Sequence, residues 1–142
     1  MCCASDKIVV LYSPPLGLYP WLHDDGTAVN GGLPQLVAQN QTLLRRHLEK
    51  WERDLAGMIP DPAFAGIAAI DWESWFPIWP WNGASSIYQV QSRALVAKLH
   101  PQWTAAKVEA EAKSQFESGA KTLMLETLSR SKQLRPRAQF GY

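Results

Sequence analysis

Two carboxylates stand one residue apart in "GIAAIDWESWFPIWPWNG", residues 66–83: Asp71 and Glu73, with Trp72 between them and Trp75, Trp79 and Trp81 beyond. They close an apolar run, and side chains on a strand alternate faces, so both acids project to one side and Trp72 to the other. An ionised Asp71 and apolar neighbours each disfavour charge on Glu73, which raises its pKa and makes it a candidate proton donor near neutral pH. A glycosidase general acid needs that property. A retaining enzyme with a carboxylate nucleophile sets its two acids about 5 to 5.5 Å apart on opposite sides of the sugar. Acids leaving one strand on the same side, with α-carbons roughly 6.6 Å apart, suit that geometry poorly. They suit a substrate-assisted scheme, in which the sugar's own N-acetyl oxygen attacks, Glu73 protonates the leaving oxygen and Asp71 orients the acetamido group. The plainer reading of an isolated Asp-x-Glu is a strand end whose carboxylate caps the next turn, and on these residues alone both readings stand.

The elements that would position the pair follow from periodicity. "KIVVLY" (7–12) is a short β-branched apolar run closed by Ser13, Pro14 and Pro15, which predicts a strand buried on both faces. The Gly- and Pro-rich stretch that follows predicts irregular structure. Leu44, Leu48, Trp51, Leu55 and Met58 recur at alternating intervals of four and three, so a helix is expected over 36–59, stopped by Pro60. "AGIAAIDW" (65–72) predicts a second buried strand and the Trp-rich segment to Gly83 a loop. Helices are expected over 87–99 and about 104–128, the latter with Val108, Ala112, Phe116, Ala120 and Leu123 on one face. "LRPRAQFGY" ends the chain as the start of another strand. Alternating strands and helices argue for an α/β fold with a parallel sheet, and three strands with open edges make a poor domain alone. The expected architecture is therefore part of a (β/α) TIM-like barrel, about three parallel strands with crossover helices. Its strand ends at the carboxyl side are where such barrels keep their chemistry.

Composition narrows the partners. With 142 residues, 46% hydrophobic, the chain fits one domain with a real core. A net charge of +1 and a pI near 7.8 give no global basic field, so binding to nucleic acid through counterion release is not expected. No run approaches the roughly 20 apolar residues of a membrane span, and no signal peptide is visible at the start. Cys2 and Cys3 are adjacent, so no internal disulfide framework can be drawn. His23, His47 and His100 lack metal-ligand spacing, so no metal is expected. Asn40-Gln41-Thr42 is a glycosylation sequon, relevant if the chain enters the secretory pathway. Arg45, Arg46, Lys50 and Arg53 beside Glu49, Glu52 and Asp54 read as a solvated helix face. "RSKQLRPR" (130–137) is either a polyanion patch or the cationic end of a helix. Trp72 is expected in the core, while Trp75, Trp79 and Trp81 are either core or flat platforms for sugar faces.

Six blocks, "LGLYP", "NGGLPQ", "IDWESW", "IYQVQSRALV", "AKSQFESGAKTLMLETL" and "LRPRAQFGY", occur in the order and approximate spacing of the hyaluronidases of glycoside hydrolase family 56, which residues 8–142 resemble. Residues 1–7 do not resemble the family's beginning. The resemblance implies a distorted (β/α) barrel that cleaves hyaluronan, and often chondroitin, at β-1,4 N-acetylhexosaminidic bonds with retention. It places Glu73 on the proton donor, Asp71 on the residue that positions the acetamido group, and Tyr19 on a substrate-groove tyrosine, with Trp75 as a further candidate contact. It implies no metal or organic cofactor, a glycosaminoglycan partner and a secreted or lysosomal address. Phe76 stands where the family commonly has arginine, and Phe140 where it usually has tryptophan. The family's barrel extends beyond both ends of the matching region, so a truncated catalytic domain is expected. An inactive fragment that at most binds glycosaminoglycan is the rival expectation.

Overall fold

The structure, a computed structural model, describes residues 8–142. Cys2 and Cys3 lie outside the described residues. A three-stranded parallel sheet holds the site, formed by β1 (Ile8–Ser13), β4 (Ile67–Trp72) and β5 (Gln139–Gly141) in the order β1-β4-β5. Between the first two strands come a short antiparallel pair, β2 (Trp21–Leu22) and β3 (Ala28–Val29), and two helices, α1 (Pro34–Ala38) and α2 (Gln41–Met58). A 3-10 turn (Trp79–Asn82) and helices α3 (Ile87–Leu99) and α4 (Ala105–Leu134) connect the central strand to the last. This is the expected partial (β/α) barrel, three parallel strands with helical crossovers.

The single helix expected over 36–59 is two. Asn40 is extended, and its side-chain oxygen accepts from the backbone N–H of Thr42 (3.0 Å) and Leu43 (3.2 Å), so it starts α2 as an N-cap instead of continuing α1. The buried face of α2 is also turned from the expected stripe: it carries His47, Leu48, Trp51 and Leu55, while Met58 is exposed. Helix α4 presents its expected residues to the core and runs on to Leu134, beyond the expected end. Near and beyond the expected end the helix buries Thr127 and Ser131, which are polar and invisible to a search for apolar periodicity. Two short strands in the stretch expected to be irregular pair as Trp21 with Val29 and Leu22 with Ala28.

Close packing of α1 on α4 requires Gly119. A methyl group there would lie 2.3 Å from the Gln35 α-carbon and 2.6 Å from its nitrogen. Gln35 is itself buried and donates to the Ser92 hydroxyl at 2.9 Å.

The expectation of strands buried on both faces is corrected. Leu11, Ala68 and Ile70 are buried, whereas Ile8 is 70% exposed, Tyr12 63% and Ile67 48%. Helices cover one face of the sheet, and no described residue covers the other, which in a closed barrel is the lumen. Three of the four cations of the basic patch are likewise held by structure, Arg137 being exposed. Arg130 pairs with Glu52 at 2.9 Å, Lys132 donates to the Ala138 carbonyl at 2.7 Å, and the buried Arg135 guanidinium donates to the Ile59 carbonyl, fixing the end of α4 to the end of α2.

Candidate active site

The central strand β4 carries Asp71 and ends one residue before Glu73. Ala68, Ile70 and the half-buried Trp72 face the helices, and the intervening positions, Ile67, Ala69 and Asp71, face the open side. Asp71 is registered with Tyr12 of β1, so both occupy the same face at the carboxyl end of the sheet. Glu73 follows directly on the strand. Asp71 is half-buried and Glu73 exposed. The ion pairs among the described residues, Arg45–Glu49, Lys50–Asp54, Arg93–Glu109 and Arg130–Glu52, involve neither acid. Among these residues no group of three or more His, Cys, Asp or Glu is arranged to hold a metal.

Tyr19, expected in the substrate groove, is instead a core residue, 2% exposed. Its ring stacks on Trp72 at 4.7 Å and meets His47 edge-on at 4.7 Å, and its hydroxyl lies 2.8 Å from that of Tyr142. Burial pushes the Tyr19 phenol well above its ordinary pKa. Trp75 is also in the core, 2% exposed, with its indole N–H donating to the Pro20 carbonyl at 2.7 Å. Both rings are buried in this chain. The same holds for Trp79, whose indole donates to Glu109 at 2.9 Å and, with Arg93, holds that carboxyl below its usual pKa. Only Trp81 among the residues weighed as sugar platforms keeps an open ring, at 64% exposure.

What sequence reasoning missed is the anchor of the Tyr19 loop. The backbone N–H of Gly17 donates to Asp54 at 2.8 Å, and that of Leu18 to His47 Nδ1 at 3.0 Å. Since Nδ1 accepts, the proton of the neutral ring is on Nε2, which faces the Thr127 hydroxyl at 2.9 Å. Burial lowers the His47 pKa from 6.5 to about 4. A histidine four residues before Trp51, on the buried side of a helix, was the available signal. Gly17, at φ +65°, lets the chain pass against the His47 ring, 2.8 Å from where a methyl group would sit.

Comparisons with known proteins identify the family and the fold. The family profile described as hyaluronidase, glycoside hydrolase family 56, matches residues 2–142. The chain belongs to the hyaluronidase family. It is 42% identical to hyaluronidase-1 of Bos taurus over 137 residues, covering 96% of this chain and 29% of that protein. To human hyaluronidase-1 it is 43% identical over 136 residues, with 95% and 30% covered. Among solved structures it is similar to bee venom hyaluronidase in complex with a hyaluronic acid tetramer, with a TM-score of 0.83 and 40% identity, covering 96% of this chain and 41% of that one. This hyaluronidase-family chain thus spans about a third of the length of the curated relatives it matches.

Proposed function

We propose that the chain supplies the acid-bearing wall of a hyaluronidase-type endo-β-N-acetylhexosaminidase acting on hyaluronan, with chondroitin as a further substrate. Glu73 is the proton donor and Asp71 the residue that holds the acetamido group. The observation that supports this reading is Asp71 on the open face at the carboxyl end of the central strand, with the exposed Glu73 two residues after it. The acetamido oxygen attacks the anomeric carbon as Glu73 passes its proton to the departing glycosidic oxygen. Glu73, now a carboxylate, takes a proton from the water that opens the cyclic intermediate, giving net retention. Asp71 accepts from the acetamido N–H and keeps its oxygen aimed. No cofactor is needed. Tyr19 and Trp75 act from below, bracing Trp72 and the loop at Pro20, not by touching sugar.

The partner in this reading is a glycosaminoglycan, and the address is secreted or lysosomal. Asn40 supports entry into the secretory pathway, since the residue is exposed and its capping bonds use only the side-chain oxygen, leaving the amide nitrogen for a glycan. No helix of the described residues is long and apolar enough to cross a membrane.

The exposure of Glu73 and of the lumen face favours a second reading, a fragment that binds glycosaminoglycan without cleaving it. Hyaluronan hydrolysis by purified chain, with Glu73→Gln as control, decides between them. Turnover abolished in the variant supports catalysis. Equal turnover in both removes Glu73 from its role, and saturable binding without turnover in either supports the second reading.

A further inference from the structure

The uncovered front of the sheet is patterned in rows. Alternation puts Ile8, Val10 and Tyr12 of β1 on that side, with Ile67, Ala69 and Asp71 of β4. Strand register adds Gln139 beside Ile67 and Gly141 beside Ala69. From the amino to the carboxyl end of the strands the rows are Ile8, Ile67 and Gln139, then Val10, Ala69 and Gly141, then Tyr12 and Asp71. Ile8, Val10, Tyr12 and Ile67 are all exposed. They form one contiguous apolar strip, the kind of surface that marks an interaction site.

Charge separates the two ends of the strip. Asp71 and the exposed Glu73 stand at the carboxyl end, and Arg137 is exposed at the amino end, two residues before Gln139. Arg137 takes no part in the ion pairs of the described residues. Asp61, an acid that precedes the central strand, is turned onto its own loop, where it accepts from the Ala63 N–H at 2.8 Å. The front therefore carries a negative and a positive end with an apolar middle, and such a surface is complementary to its own copy turned end for end.

Two ways of laying a second copy on this front differ in sign. With the strands of the two sheets parallel, the two-fold axis runs along β4 and sets Asp71 over the Asp71 of the other copy, a repulsive contact. With the strands antiparallel, the axis crosses them at the middle row. Val10 and Ala69 then face their own copies, Tyr12 covers Ile8, and the Glu73 end of one copy lies over the Arg137 end of the other. Small side chains at Ala69 and Gly141 leave the middle row clear for the spacing of about 10 Å at which sheets pack. The strip and its charged ends run about 26 Å along the strands and about 15 Å across them. A stacked pair buries on the order of 1,000 Å² in all, the low end for a specific interface, so the expected Kd is micromolar.

We propose that the bare front is a self-association surface on which two copies of this chain stack face to face, antiparallel, about an axis through the row of Val10 and Ala69. At about 10 Å between sheets no sugar ring fits over Asp71, so the paired form is closed to polymer and the single copy is the open one. The inference does not rest on the glycosidase reading, because it is read out by mass. Sedimentation velocity of the whole chain from about 1 to about 200 µM should show a reversible equilibrium between one copy and two. Val10→Asp and Val10→Lys should each weaken pairing at least about tenfold, since each sets like charges against one another at the axis. Mixed in equal amounts, these two variants should pair again, one chain of each kind. Arg137→Glu should weaken pairing about threefold to tenfold, and Glu73→Lys in the same chain should restore it. All of these side chains are exposed, so circular dichroism is expected to be unchanged in each variant. A single copy at every concentration, an open-ended series of larger species, or failure of the Val10 mixture to pair would overturn the proposal. The first result leaves the front to further strands of a longer chain, and the second assigns association to the outer edges of β1 and β5.

Discussion

The hydroxyls of Tyr19 and Tyr142 lie 2.8 Å apart, joining a loop near the start of the chain to its last residue across the end of the sheet. Tyr142 is 42% exposed as a residue, but desolvation where its hydroxyl meets Tyr19 pushes the phenol up to about 12, so both groups stay protonated and the bond is insensitive to pH in the neutral range. Tyr142→Phe leaves the Tyr19 hydroxyl buried without that partner and should cost about 1 to 3 kcal/mol in urea unfolding. In a double-mutant cycle Tyr19→Phe and Tyr142→Phe should fall short of additivity by about 1 kcal/mol. Strict additivity would show that the hydroxyls do not interact in solution.

His47 gives the chain an acid-side weakness. The folded state keeps the ring neutral down to about 4, while the unfolded ring takes its proton near 6.5. Between those values the unfolded state binds more protons, so stability from this site is complete above about 6.5 and declines as pH falls toward 4. The loss amounts to about 3 kcal/mol at the lower end. Among the described residues the recorded neighbours of the ring are the Leu18 N–H, the Thr127 hydroxyl, the Tyr19 and Trp51 rings and the Lys50 cation, none of which can receive its charge. Denaturant midpoints of the parent and His47→Gln, compared at neutral pH and near pH 4.5, should show the difference between the proteins shrinking or reversing on acidification.

Gly119→Ala should destabilise by about 2 to 3 kcal/mol, since the new methyl group meets backbone and not a movable side chain. Thermal unfolding reads the effect directly. A neutral result would mean that α1 does not approach α4 as closely as the structure places it.

At Asn40 two functions separate by substitution. Asn40→Ala removes the cap and should cost about 1 kcal/mol. Asn40→Asp keeps the capping oxygen, so stability of unglycosylated protein should be retained, while chain expressed through a secretory pathway should lose the mobility shift that a glycosidase removes from the parent.

Much of the scaffold is legible in the residues because it depends on local pattern. The β-branched run at Ile8 and the apolar run at Ile67 give strands, the spacing of Val108, Ala112 and Phe116 gives a helix, and the period of two on β4 puts Asp71 on a face opposite Trp72. What is not legible depends on partners far away in sequence. A tryptophan or tyrosine is equally suited to a groove or a core, and Trp75 is committed to the core by a carbonyl at Pro20, Tyr19 by a hydroxyl at Tyr142. Thr127 and Ser131 extend the buried face of α4 because they have His47 and Trp51 to bond, which no apolar pattern signals. Asn40 is an intermediate case: its residue type is a known helix start, but an apolar stripe on both sides masks the break.

All the crossovers lie on one side of the sheet, so its order and spacing are set from the back. The outer edges of β1 and β5 keep their hydrogen-bonding groups turned outward. Further strands can therefore join at either margin, and side chains can be laid across the bare front, without any helix having to shift. In that respect the segment behaves as a prefabricated panel, whose front is left bare while its back is already braced.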